Sequence, residues 1–143
     1  MKYHVFYRLQ TEIPEVFTVP HQAFFSLPSK EGYSPVVAAD RRGRFVFGGC
    51  SAGLDDPQPV GGLYVAELDG SVTELDRGIY QSNSHCFTPD GRTLYAADSF
   101  VTSIFAYDYD VDTGRIANKR LFANTADLGG CPDGSAVDAD GMV

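Results

Sequence analysis

Hydrophobic and polar residues alternate in short runs along much of the chain, and turn residues separate the runs. Residues 82–99 are the clearest case: an apolar run follows Asn83, a Pro-Asp-Gly sequence occupies residues 89–91, and a β-rich run covers residues 93–97. Proline presets the turn dihedral, aspartate bonds to its own backbone, and glycine accepts a positive φ. The stretch therefore predicts a strand, a tight turn and a second strand.

The same turn recurs along the chain. A glycine shortly after an aspartate occurs at Gly43, Gly91 and Gly141, which lie 48 and 50 residues apart. Residues 61–76 and 103–122 each predict a hairpin between these turns. A period near fifty residues, built from short strands, is typical of β-propeller blades. No window has sustained helical spacing of apolar residues. We expect an all-β protein that forms about three four-stranded antiparallel blades.

The chain shows no internal linker, so residues 1–143 are expected to be one incomplete propeller domain. Residues 1–19 predict two strands around a turn at Pro14, and residues 1–35 have no further assignment. The sequence stops just after the third turn. Three blades cannot close a ring, so the open edges predict either a fragment or two copies that associate with each other.

Composition narrows the possible partners and compartments. The formal net charge of −8 argues against nucleic acid and anionic membranes, which need a basic face. The amino terminus lacks the apolar core of a signal peptide, and no apolar run approaches the length of a membrane span. Three widely spaced cysteines without a CxxC motif indicate reduced thiols and predict a cytoplasmic protein.

Positions that repeat with the blades provide the candidate site. Eight residues before the three turn glycines stand Pro35, Asn83 and Asp133. Inner strands of neighbouring blades converge near the axis of a propeller, so Asn83 and Asp133 would meet there. Amide and carboxylate oxygens are ligands that Ca²⁺, Mg²⁺ and Mn²⁺ prefer. The alternative is that both residues cap inner strands through local hydrogen bonds.

Two other clusters predict structure rather than chemistry. Asp108, Asp110 and Asp112 imitate a calcium loop, but Gly114 is one place late and Lys119 replaces the final glutamate, so a hairpin turn is expected. Alternating aromatic residues in the same hairpin predict packing on one face: Phe105, Tyr107 and Tyr109.

His85 and Cys86 follow Asn83 on the predicted inner strand. Because neighbouring strand residues point to opposite faces, burial in the core is expected for His85 and Cys86 rather than metal ligation. The same alternation argues against a catalytic triad built from Ser84, His85 and an aspartate.

Residues 82–99, followed by IFAYDYDVDTGRIANKRLFA and CPDGSAVDADG, resemble the regucalcin/gluconolactonase family. The resemblance covers residues 39–143 and implies a six-bladed propeller with a divalent metal on the pore axis. Typical members hydrolyse sugar lactones. The metal-binding Asn of the family corresponds to Asn83, and its metal-binding Asp, also the usual candidate for the general base, corresponds to Asp133.

The chain departs from the family pattern at two points. The third metal ligand, a glutamate near the family's amino terminus, has no counterpart, because Glu31 lies too close to the first repeat. The Arg-x-Asn-Asp motif that precedes the first repeat is replaced in residues 33–36. The resemblance favours part of a lactonase that acts on a sugar lactone with Ca²⁺, Mn²⁺, Mg²⁺ or Zn²⁺. A non-catalytic metal-binding or protein-interaction module is the alternative.

Overall fold

The computed structural model describes residues 32–51 and 55–143, with side chains from residue 36 onward. The strands predicted within residues 1–19 lie outside this range. Eight strands form two four-stranded antiparallel sheets, each a meander in chain order. The first sheet contains β1 (Gly32–Ala39), β2 (Phe45–Cys50), β3 (Gly61–Ala66) and β4 (Val72–Ile79); the second contains β5 (Ser82–Phe87), β6 (Thr93–Asp98), β7 (Ser103–Asp110) and β8 (Arg115–Asn124).

These sheets are two of the about three predicted blades, and the all-β prediction is confirmed. The one helical element in the described residues is a single 3₁₀ turn at Ala126–Leu128. No helix in the described part of the chain is long and apolar enough to cross a bilayer.

The predicted turn recurs with the same geometry in all three repeats. Gly43, Gly91 and Gly141 have φ values of 81°, 73° and 87°, which favour glycine. Each donates its backbone N–H to the carbonyl oxygen three residues earlier, at 3.1, 2.8 and 3.1 Å. The turn geometry is therefore the same in each repeat and depends only on residues close together in the chain.

The third repeat differs from the first two. Its turn is formed, but residues 131–138 contain no strand, whereas an inner strand was expected there. A strand is defined by its hydrogen-bonded neighbour, and no described strand pairs with residues 131–138. Val137 nevertheless packs against a cluster of Cys86, Tyr95 and Ala106, on the face of the second blade that points away from the first blade.

The two blades pack face to face, and the main core lies between them. Each blade contributes four buried side chains: Val46, Leu63, Val65 and Ile79 from the first, and Leu94, Ala96, Tyr107 and Tyr109 from the second. Phe105 packs against the same cluster. The alternating aromatic residues of β7 therefore do share one face, and that face packs against the first blade.

The β7–β8 connection is a hairpin turn, as expected. Asp110 Oδ1 accepts hydrogen bonds from the backbone N–H groups of Asp112 and Thr113, at 2.8 and 3.3 Å. Asp108 is bound by Asn118 and Arg120. These carboxylates have partners within the chain, which explains the aspartate spacing without a cation.

The crossing from the first blade to the second is fixed by Asp98. Its carboxylate is buried at the end of β6 and accepts from the backbone N–H groups of Tyr80 and Gln81, at 2.9 and 3.1 Å. These two residues connect β4 to β5. The bonds thereby set where the inner strand of the second blade begins.

The three cysteines are free and differ in exposure: Cys131 is exposed, Cys50 is half-buried and Cys86 is buried. Burial raises the pKa of Cys86 to about 11, so roughly 0.1% of it is thiolate at pH 8. We expect iodoacetamide to alkylate Cys131 at least tenfold faster than Cys86 in the folded protein. Peptide mass spectrometry over time would measure this, and equal labelling rates would contradict the burial of Cys86.

Candidate active site

The candidate site begins at the amino-terminal end of β5, the inner strand of the second blade. Asn83 is buried there, with 4% of its surface exposed. The β5–β6 pairing shifts register between Asn83 and Cys86, which is a bulge. Within the bulge, the fully buried Ser84 has φ of 55°, a left-handed conformation that costs energy for a serine. The bulge redirects the side chains of this strand away from simple alternation.

The side chain of Asn83 is held by the end of the neighbouring strand. Its Nδ2 donates a hydrogen bond to Ser99 Oγ at 2.8 Å. Ser99 Oγ in turn donates to the main-chain oxygen of Pro132 at 2.6 Å. A chain of two hydrogen bonds therefore joins Asn83 to the third repeat.

A second contact joins the two repeats beside the first. Ser84 Oγ donates to the main-chain oxygen of Asp133 at 2.6 Å, and Ser135 Oγ donates to Ser84 Oγ at 2.9 Å. The segment that contains Asp133 thus lies directly against the strand that contains Asn83. The side chain of Asp133 is exposed, whereas Pro132 is buried.

The equivalent position of the first repeat, Pro35, lies on β1. The pairing of β1 with β2 also shifts register at this place, between Tyr33 and Val37. The side chain of Pro35 is outside the described part. A register shift at this place therefore occurs in both blades, with one extra residue on β5 and two on β1.

His85 is a core residue, which confirms the expectation from the sequence. Its Nδ1–H donates to the main-chain oxygen of Val36 at 2.9 Å, and its Nε2 accepts from Ser82 Oγ at 2.8 Å. Burial lowers its pKa to about 4, so the ring is neutral at pH 7. His85 and Ser82 are buried, and both imidazole nitrogens are engaged in hydrogen bonds within the chain, as expected for core residues. The bond from His85 to Val36 joins β5 of the second blade to β1 of the first.

The donor types at the site suit a hard divalent cation. Asn83 offers an amide oxygen and Asp133 a carboxylate, and both belong to segments fixed against each other. Among the described residues, no three side chains of His, Cys, Asp or Glu gather into a metal-binding group. Asn83 and Asp133 therefore supply suitable donor types, and their roles as ligands stay a prediction.

Sequence reasoning did not single out Ser99, and it considered Ser84 only as a triad member. The repeat could have identified Ser99, because Ser51 stands 48 residues before it. Ser51 follows β2 just as Ser99 follows β6. Both serines are buried. No such signal existed for Ser84, whose role depends on the bulge.

Comparisons with known proteins agree with this architecture. A family model described as the SMP-30/Gluconolactonase/LRE-like region matches residues 35–143. An L-arabinolactonase from Azospirillum brasilense is 39% identical, over 92% of this chain and 49% of the relative. A pentonolactonase from Haloferax volcanii is 31% identical, over 75% of this chain and 35% of the relative.

Two solved structures are similar as well. A calcium-binding regucalcin from Agrobacterium tumefaciens has a TM-score of 0.72 and 30% identity, over 82% of this chain and 40% of that one. A gluconolactonase from Xanthomonas campestris has a TM-score of 0.61 and 27% identity, over 73% of this chain and 37% of that one. The chain spans about half, or less, of the length of these relatives. The match over residues 35–143 establishes that the chain belongs to the SMP-30/gluconolactonase/LRE-like family of propeller-type proteins.

Proposed function

We propose that the protein hydrolyses a sugar lactone and that Asn83 and Asp133 hold a divalent cation, Ca²⁺, Mn²⁺, Mg²⁺ or Zn²⁺, at its active site. The observation on which the proposal rests is the pair of hydrogen bonds that fix the Asp133 segment against β5, from Ser84 and Ser99. The lactonases among the relatives support the substrate class.

Each residue has a distinct task in this proposal. When bound, the cation would polarise the lactone carbonyl and stabilise negative charge on its oxygen. Asn83 is buried and held by Ser99, so its amide has a fixed orientation. Asp133 is exposed, so its carboxylate is accessible to water and substrate. As general base it would accept a proton from the attacking water. The water oxygen would add to the carbonyl carbon, the bond between that carbon and the ring oxygen would break, and the ring oxygen would take up the proton from Asp133, which gives a hydroxy acid.

The chemistry of the chain also limits its partners and compartment. A net charge of −8 supports a small-molecule substrate and not a nucleic acid or an anionic membrane. Three free cysteines support the cytoplasm as the proposed compartment. Self-association through open blade edges remains part of the proposal.

A lactone hydrolysis assay tests the proposal. We expect release of acid from pentono- and hexonolactones only when a divalent cation is present, and a loss of at least tenfold in kcat/KM in both Asn83→Ala and Asp133→Ala. Leu68→Ala is a surface control for Asp133→Ala, because Leu68 is 61% exposed and lies in the β3–β4 turn.

The outcomes separate the two hypotheses. Activity that survives both substitutions would contradict the roles of Asn83 and Asp133. Metal binding without hydrolysis of any lactone would favour the non-catalytic module instead.

A further inference from the structure

The hydroxyl of Ser99 lies between the two halves of the proposed site. Ser99 directly follows β6, is 6% exposed, and is bonded both to the side chain of Asn83 and to the main chain of Pro132. Pro132 immediately precedes Asp133. A single buried hydroxyl therefore contacts both parts of the site.

Counting hydrogens determines the direction of these bonds. A serine hydroxyl has one hydrogen, and a main-chain carbonyl can only accept. The hydrogen of Ser99 therefore goes to Pro132, at 2.6 Å. Toward Asn83 the hydroxyl oxygen can then act only as an acceptor, so the amide must turn its NH₂ group toward Ser99. The oxygen of the amide consequently points away from Ser99.

Ser99 is not the sole attachment of the third repeat. Ser84 holds the carbonyl of Asp133, the next one along the chain, and is itself bonded by Ser135. Removal of the Ser99 hydroxyl would leave this second attachment in place. The segment would stay near β5, while the Asn83 amide would lose the acceptor that Ser99 Oγ provides for its NH₂ group.

We infer that Ser99 is a positioning residue of the proposed site: it selects the orientation of the Asn83 amide and holds the main chain that precedes Asp133. The inference rests on the proposed function, because the amide orientation matters only if Asn83 is a ligand. An amide turned the other way would present NH₂, which cannot bind a cation.

The test compares Ser99→Ala with Ser103→Ala. Ser103 is a matched control, since its Oγ also donates to a carbonyl, that of Val101 at 2.8 Å, and accepts from an asparagine, Asn124 Nδ2 at 3.0 Å. It is 7% exposed. The two substitutions thus remove equal numbers of bonds from buried hydroxyls.

Isothermal titration with Ca²⁺ and Mn²⁺ should show an affinity about 10–100-fold weaker in Ser99→Ala, and a change of less than about twofold in Ser103→Ala. Ser99→Thr, which keeps the hydroxyl, should recover most of the affinity. Unchanged affinity in Ser99→Ala, or equal losses in both alanine variants, would overturn the inference.

Hydrogen exchange without added metal distinguishes this inference from the proposed function. Peptides covering residues 131–137 should exchange faster in Ser99→Ala than in the wild type or in Ser103→Ala. Failure of the wild type to bind metal and to hydrolyse lactones would contradict the proposed function. Faster exchange in that case would leave Ser99 as a structural contact and overturn its positioning role. Metal binding by the wild type with unchanged exchange in Ser99→Ala would overturn the role while leaving the proposed function intact.

Discussion

Arg44→Met is expected to lower the free energy of unfolding by about 3–5 kcal/mol, because it removes one partner of a buried ion pair. Arg44 and Asp40 are 5% and 8% exposed. Arg44 Nε donates to Asp40 Oδ2 at 2.7 Å, and Tyr109 of the second blade donates to the same oxygen at 2.8 Å. The substitution leaves the Asp40 carboxylate buried without its positive partner.

The same substitution also removes contacts between the blades. The guanidinium of Arg44 donates to the main-chain oxygens of Val111 and Asp112 in the β7–β8 turn. A domain of this size is typically stable by about 5–15 kcal/mol, so the loss would be a large share of the total. Urea unfolding followed by circular dichroism would measure it.

Two further variants make this test specific. Asp40→Asn combined with Arg44→Met should recover part of the stability, because the uncompensated charge is then gone while Oδ1 can still accept from the backbone. Arg42→Met is the control: Arg42 pairs with Asp112 on the surface, where both side chains are largely exposed, and such pairs contribute about 0–1 kcal/mol. Equal effects of the Arg42 and Arg44 substitutions would show that burial of the pair is unimportant.

Gly48→Ala is expected to destabilise the fold toward the upper end of about 1–3 kcal/mol by overpacking. A Cβ atom at Gly48 would lie 2.3 Å from Ser82 Cβ and 2.9 Å from His85 Cε1. Gly48 lies on β2 of the first blade, and the other two residues lie on β5 of the second. The blades approach so closely here that a methyl group has no space, and the fixed backbone of β5 prevents easy relief.

The comparison for Gly48 is Gly130→Ala, where a new Cβ would meet nothing within 4 Å. This control should change the free energy of unfolding by less than about 0.5 kcal/mol. Ser82→Gly should partly rescue Gly48→Ala, which would appear as non-additivity in a double-mutant cycle. Thermal unfolding of the wild type, Gly48→Ala, Ser82→Gly and the double variant would provide the values for the cycle, and additive effects would contradict a direct clash.

The sequence by itself predicted the elements because their causes are local. The turns at Gly43, Gly91 and Gly141 depend on a few neighbouring residues, and strand alternation depends on which residues favour a pleated surface. Their recurrence near fifty residues then predicted the blades. The placement of Asn83 and Asp133 at equivalent positions followed from the same period, and their roles as ligands stay a prediction.

Only the tertiary structure decided how the repeats meet. The hydrogen bonds of Ser99 and Ser84 to Pro132 and Asp133 join residues that are 33 and 49 positions apart in the chain. The bulge at Ser84 and the pairing of Arg44 with Asp40 were not predicted from the period. Such contacts depend on how one sheet packs on the next. Local propensity contains no information about which distant residues that packing brings together.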